Sequence, residues 1–148
     1  MYQRPWSYGT TGRTARRWPA GKPRVLVEDP SELATISDHT LFRQAGFDVA
    51  VCSGPDPTAA CPLVGEGTCA LADSADVVLF GLDLDDPTAR DVLRAHLRRH
   101  AERPVVALRR DTDVGPLDDA GACTVVPTST SVGGQVHALR RGLGGGAA

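Results

Sequence analysis

Three cysteines, Cys52, Cys61 and Cys69, stand close together in a chain of 148 residues, at spacings C-x8-C and C-x7-C around a Pro/Gly-rich stretch. Thiolates are soft ligands for Zn²⁺ or an iron–sulfur cluster, and two that approach each other can oxidise to a disulfide. Neither spacing is a CxxC knuckle, and a fourth ligand would have to come from elsewhere, for example His39, Cys123 or water. A metal- or redox-responsive site at Cys52, Cys61 and Cys69, with a disulfide involving Cys61 and Cys69, is one reading of the segment. Thiols packed in or beside the core are the plainer reading and the preferred one, so no zinc or iron–sulfur cofactor is expected.

Other residues of catalytic type give weaker patterns. His96 and His100 stand at i and i+4, which places two imidazoles on one helix face, but no glutamate follows His96 as in a zinc protease. Both flank an apolar stripe and are expected as histidines at the edge of the core. The run Pro127-Thr128-Ser129-Thr130-Ser131 offers hydroxyls and backbone N–H groups ahead of a helix; helix capping accounts for it, with anion binding as the alternative. Asp83, Asp85 and Asp86 precede a helix, where negative charge complements the helix dipole. No Walker loop, no GxGxxG after a strand and no GxSxG elbow is present.

The elements that must position these residues alternate between strand and helix. Arg24 to Val27 is a short β-branched run, and Asp29 or Ser31 can cap a helix over 32–45, in which Leu33, Ile36, Leu41, Phe42 and Ala45 recur at helical spacing before Gly46 stops it. Phe47 to Cys52 reads as a second strand. Asp76 to Leu82 is a continuous apolar run of the kind buried on both faces of a parallel sheet. A helix from Pro87 to Glu102 follows, capped by Asp86, with Val92, Leu93 and Leu97 inward. Pro104 to Leu108 and Cys123 to Val126 supply strands four and five, and a last helix runs from Val132 to Leu143. Strands alternating with helices predict right-handed crossovers and a parallel sheet covered on both faces, here the flavodoxin-like five-stranded order 2-1-3-4-5. Function is then expected at the carboxyl edge of the strands.

Size and charge narrow the remaining classes. A chain of 148 residues with 41% hydrophobic residues makes one ordinary domain. No apolar stretch approaches the ~20 residues of a membrane span, and the start of the chain is polar, so a cytoplasmic protein without a membrane partner is expected. Residues 1–24 carry Arg4, Arg13, Arg16, Arg17, Lys22 and Arg24 and no acid, whereas the rest of the chain has an excess of acids. Interleaved with Tyr2, Trp6, Tyr8 and Trp18 and with several glycines and prolines, these cations suggest a flexible basic arm over 1–23. Such an arm could grip nucleic acid, but a tail that docks on its own acidic body is preferred. The domain then spans 24–143, with 144–148 as a flexible tail.

The order of these pieces resembles a response-regulator receiver domain. RVLVEDPSELATISDHTLFRQAGFDVAVCSG is similar to its opening, ADVVLFGLDLDD to its third strand and exit, RPVVAL to its fourth strand, and DDAGACTVVPTST to its fifth with the following proline. In that family an acidic pair after strand one binds Mg²⁺ and an aspartate ending strand three takes the phosphoryl group. A hydroxyl and a lysine after strands four and five contact the phosphate. The resemblance places the acidic pair at Glu28 and Asp29, but Gly81 falls where the phosphoacceptor belongs, Arg109 where the hydroxyl belongs, and Val126, before Pro127, where the lysine belongs. Asp83 lies two residues beyond Gly81 as a substitute acceptor, and with Glu28 and Asp29 as a weak Mg²⁺ ligand; acids remaining from an ancestral site are the preferred reading. The resemblance therefore implies a bacterial pseudo-receiver. It would be a regulatory or protein-interaction module of signal transduction rather than an enzyme, with a protein partner or a second copy bound on the face of the last helix and fifth strand.

Overall fold

The computed structural model describes residues 22–31, 40–55, 60–109 and 123–144. The basic arm up to residue 21, the first half of the helix expected over 32–45 and the tail from residue 145 lie outside the described residues. Five strands, β1 (Arg24–Glu28), β2 (Asp48–Cys52), β3 (Val77–Phe80), β4 (Val105–Arg109) and β5 (Thr124–Pro127), form one sheet in the order β2-β1-β3-β4-β5, every neighbour parallel. This is the flavodoxin-like arrangement that the alternation of elements predicts.

The two faces of the sheet follow the two-residue period of a strand. Val25, Val27, Val49, Val51, Val77, Leu79 and Val106 point to one side and pack against Phe42, Phe47 and the helix α4 (Val132–Leu143) through Val136, Ala138 and Leu139. Leu26, Ala50, Val78, Phe80, Val105 and Ala107 point to the other side. They meet Leu63 of α1 (Pro62–Gly65), Leu71 and Ala72 of α2 (Ala70–Ser74), and Ala89, Val92, Leu93 and Ala95 of α3 (Pro87–Arg99).

Local stops and starts match residue chemistry. Residues 40–44 are helical, and Gly46 ends the turn at φ +99°, a left-handed conformation open to glycine at little cost. Asp86 caps α3 by accepting from Thr88 N at 2.9 Å, with Pro87 in the first turn, and Ser131 caps α4 by accepting from Gly134 N at 3.1 Å. Two features depart from the sequence reading. The stretch between β2 and β3 contains the short helices α1 and α2, too brief for a helical period to show in sequence. The α3 helix ends at Arg99 rather than Glu102, because His100 leaves the helical region at φ −133°, ψ 68°.

Candidate functional site

The parallel register brings the ends of β1, β2 and β3 level: Glu28 stands opposite Cys52 on one side and Phe80 on the other. At this edge the chain leaves β3 through Gly81, whose N–H donates to Glu28 O at 2.7 Å. The approach is close enough to dictate the residue type. A Cβ on Gly81 would stand 2.9 Å from Glu28 O, 3.6 Å from Leu108 Cδ1 and 3.8 Å from Asp29 Oδ2. The same backbone contact that ties β3 to β1 therefore leaves no room for a side chain.

The acidic pair is split by strand parity. Asp29 lies at the edge, half-buried, its Oδ1 accepting from Ser31 N at 2.8 Å. Burial raises its carboxyl above the usual value, and the Ser31 N–H works against that rise. Glu28 shares a face with Leu26, so its side chain turns under the sheet, where it is 2% exposed. There it pairs with His96 Nε2. Arg103 Nη2 lies 3.0 Å from the other ring nitrogen, Nδ1. A guanidinium only donates, so Nδ1 accepts, and the ring proton sits on Nε2, where it is donated to Glu28. The result is a buried chain of carboxylate, neutral imidazole and guanidinium. Arg103 Nη1 also donates to Ala72 O, tying the chain to α2. Burial lowers the Arg103 pKa, with the charges of Glu28 and Asp73 opposing the drop.

His96 is thus an interior residue, 2% exposed and edge-on to Phe80 with ring centroids 6.4 Å apart, rather than the core-edge histidine expected from the sequence. His100 does not join it. Its Nε2 meets Asp73 Oδ1 at 2.7 Å, and Arg99 Nε lies 3.5 Å from the same oxygen. Burial alone would raise the Asp73 carboxyl; hydrogen bonds from Thr68 and His100, together with the Arg99 charge, hold it below the usual value.

Asp83 is exposed and its Oδ1 accepts from Asp85 N at 3.0 Å, a turn leading into the cap of α3. Arg109 ends β4 opposite Pro127 of β5, and its carbonyl accepts from Thr128 N at 3.0 Å. Val126 packs among the partly buried apolar residues of the α4 face. Pro127 and the hydroxyl residues after it are mostly exposed, and Ser131 serves as the cap of α4.

The three cysteines of the β2–β3 stretch come together. Cys52, Cys61 and Cys69 line one cavity of about 20 Å³, whose lining also includes Glu28 and His96 and whose walls are otherwise largely apolar. None of the three forms a disulfide. Burial raises all three thiol pKa values, and the Glu28 charge adds to the rise. Among the described residues no three His, Cys, Asp or Glu side chains are already gathered as a metal site. Cys123 belongs to a different region, beside β5. The sequence reading grouped the thiols but did not connect them to Glu28 or His96. The signals for the latter were the parity of Glu28 with Leu26 and the place of His96 one helical turn after Val92.

The overall geometry has clear relatives. The chemotaxis protein CheY4 of Vibrio cholerae superposes with a TM-score of 0.61 at 17% identity, covering 82% of this chain and 99% of that one. A response-regulator receiver domain from Clostridium thermocellum gives 0.63 at 20% identity, covering 82% and 94%. The fold is that of a receiver domain. A CheY-like receiver protein from Methanospirillum hungatei gives 0.61 at 17% identity, covering 84% and 96%. No protein-family model and no curated protein sequence matches the chain, so the likeness is carried by the receiver fold itself. Among the described residues no helix is long and apolar enough to cross a membrane.

Proposed function

We propose that this chain is a pseudo-receiver: a regulatory module of signal transduction that uses the receiver fold to contact a protein partner and does not take a phosphoryl group at the end of β3. The observation that carries the reading is the fit around Gly81. Gly81, which the resemblance sets against the family's phosphoacceptor, is a residue whose Cβ would collide with Glu28 O at 2.9 Å, so an aspartate there would require β1 or β3 to move. The rest of the edge agrees. Glu28 is committed to His96 inside the domain, away from the position of a Mg²⁺ ligand. Arg109 and Val126 supply neither the hydroxyl nor the lysine that a phosphoryl group would need. Asp83, the substitute acceptor, is engaged in its own turn.

The module acts through binding rather than catalysis, and its partner is a protein, with a second copy of this chain as one form. The face of β5 and α4 is the candidate surface, where Val126 of β5 and Val132 of α4 are only partly buried. Intact-protein mass spectrometry before and after acetyl phosphate with Mg²⁺ tests the reading. The expected spectrum is unchanged. A phosphoryl adduct that disappears in Asp83→Asn would overturn the proposal and make the chain a working phosphoacceptor.

A further inference from the structure

The cavity beneath the sheet edge unites groups that the receiver fold does not require. Cys52 comes from the end of β2, and Cys61 and Cys69 immediately precede α1 and α2. Each sulfur faces backbone donors from the residues that follow it. Gly54 N donates to Cys52 Sγ at 3.4 Å, the N–H groups of Leu63 and Val64 point to Cys61, and those of Leu71 and Ala72 point to Cys69. These hydrogen bonds work against, but do not overcome, the burial that raises all three thiols, so the thiol protons leave only when a cation replaces them. The cavity, at about 20 Å³, has room for one water-sized occupant. Glu28 closes one side. Both nitrogens of His96 are occupied, one by Glu28 and one by Arg103, so His96 orients the carboxylate, as a partner in the outer shell of a metal site does.

We propose that Cys52, Cys61 and Cys69, with Glu28 as the fourth ligand, bind a single soft divalent cation of the zinc class. Three sulfurs and one carboxylate oxygen match the tetrahedral N/S/O preference of such an ion and do not suit Mg²⁺. Binding releases three thiol protons to solvent and forms three metal–sulfur bonds, with no change of oxidation state and no need for an oxidant. The side chains draw inward around the ion, because they are not yet gathered at coordination distance. Three thiolates and a carboxylate around a dication leave net negative charge, and the Arg103 guanidinium stands close enough to both Glu28 and Cys69 to interact with them electrostatically. Structurally, the ion would fasten the α1–α2 segment to the ends of β1 and β2.

Cobalt is the probe. The full chain is stripped with a chelator, kept reduced and titrated anaerobically with Co²⁺. The expected result is thiolate-to-cobalt charge transfer and tetrahedral d–d absorption that saturate at one equivalent and are removed by Zn²⁺. Cys123→Ser retains one equivalent, whereas Cys61→Ser and Cys69→Ser lose it. Alkylation of the unmutated chain provides a test that does not depend on variants folding: Zn²⁺ should protect Cys52, Cys61 and Cys69 from iodoacetamide and leave Cys123 reacting as before. Absence of thiolate–cobalt absorption, or alkylation unchanged by Zn²⁺, overturns the proposal. So does a Cys61–Cys69 disulfide, seen as a loss of two hydrogens, that forms in the presence of Zn²⁺; that result makes the cavity a redox site instead.

Discussion

Replacing Gly81 by alanine separates a packing constraint from an accident of sequence, because the two make predictions of opposite sign. Gly81 does not have a positive φ, so an open site would accept alanine and gain about 0.4–1 kcal/mol from the reduced entropy of the unfolded chain. In the folded protein, however, the new Cβ would lie 2.9 Å from Glu28 O, whereas C···O contacts ordinarily settle near 3.3 Å or beyond. Relief requires the exit of β3 to move away from β1 by roughly 0.4 Å, the shortfall against that spacing. The obstructing atom is a backbone carbonyl within the sheet, so it cannot swing aside like the end of a side chain. The same movement stretches the 2.7 Å hydrogen bond from Gly81 N to Glu28 O. Overpacking of this sort costs about 1–3 kcal/mol, and weakening the hydrogen bond adds up to about 1 kcal/mol. After the entropy gain is subtracted, a net loss of about 2 kcal/mol is expected. In a domain of this size that corresponds to a drop of roughly 5–10 °C in Tm. Urea denaturation of the unmutated chain, Gly81→Ala and Gly81→Asp gives the stabilities directly, with the slope reporting whether the unfolded state has changed. Gly81→Asp should be at least as destabilised as Gly81→Ala and should still gain no phosphoryl mass from acetyl phosphate. A neutral or stabilised Gly81→Ala refutes the steric reasoning, and a stable, phosphorylated Gly81→Asp refutes the functional conclusion built on it.

Two further perturbations test the polar interior. His96→Ala removes the imidazole from between Glu28 and Arg103 and leaves a buried carboxylate without its partner, for which a loss of about 3–5 kcal/mol is expected by urea denaturation; adding Glu28→Leu should restore part of it, since the unpaired charge is then gone. Asp73 sets the acid limb of stability: its folded pKa is lowered, so its contribution is present above the unfolded value of an aspartate and is lost as pH falls through the lower folded value. Asp73→Asn is therefore less stable than the unmutated chain at neutral pH, and the difference shrinks in thermal melts as pH falls below the ordinary aspartate range and through the lower folded value. A constant difference across that range would show that Asp73 acts through shape and not through its charge.

The architecture was legible because strand runs with apolar patterning on both faces leave few alternatives. RVLV, DVVLFGL and PVVAL are too apolar for an exposed sheet, and the helical segments between them force parallel crossovers. Strand limits shifted by a residue or so, as at Gly81, where a continuous apolar run hides the point at which pairing stops. The helices α1 and α2 were not legible, since four or five residues do not complete two turns and no period can show. The sequence reading set His96 at the edge of the core because it flanks the apolar stripe of Val92, Leu93 and Leu97. Its burial depends on a carboxylate 68 positions earlier and on Arg103 after the helix, a coincidence that no local pattern encodes.

On the pseudo-receiver reading, the same pairing ties the loss of phosphoryl chemistry to the packing at the end of β1. A carboxylate at the end of β1 can be held in two ways: by a cation at the sheet edge, or by a hydrogen-bonded partner beneath the sheet. Here Glu28 takes the second. With Glu28 turned inward only Asp29 of the pair remains at the edge, where Gly81 N donates to Glu28 O and the same carbonyl leaves no room for a Cβ on Gly81. On that reading, the absent acceptor and the redirected acid meet at one β1–β3 contact. Restoring a phosphoacceptor would take more than Gly81→Asp: Glu28 would have to be released from His96, and the β1–β3 contact would have to open to admit a Cβ.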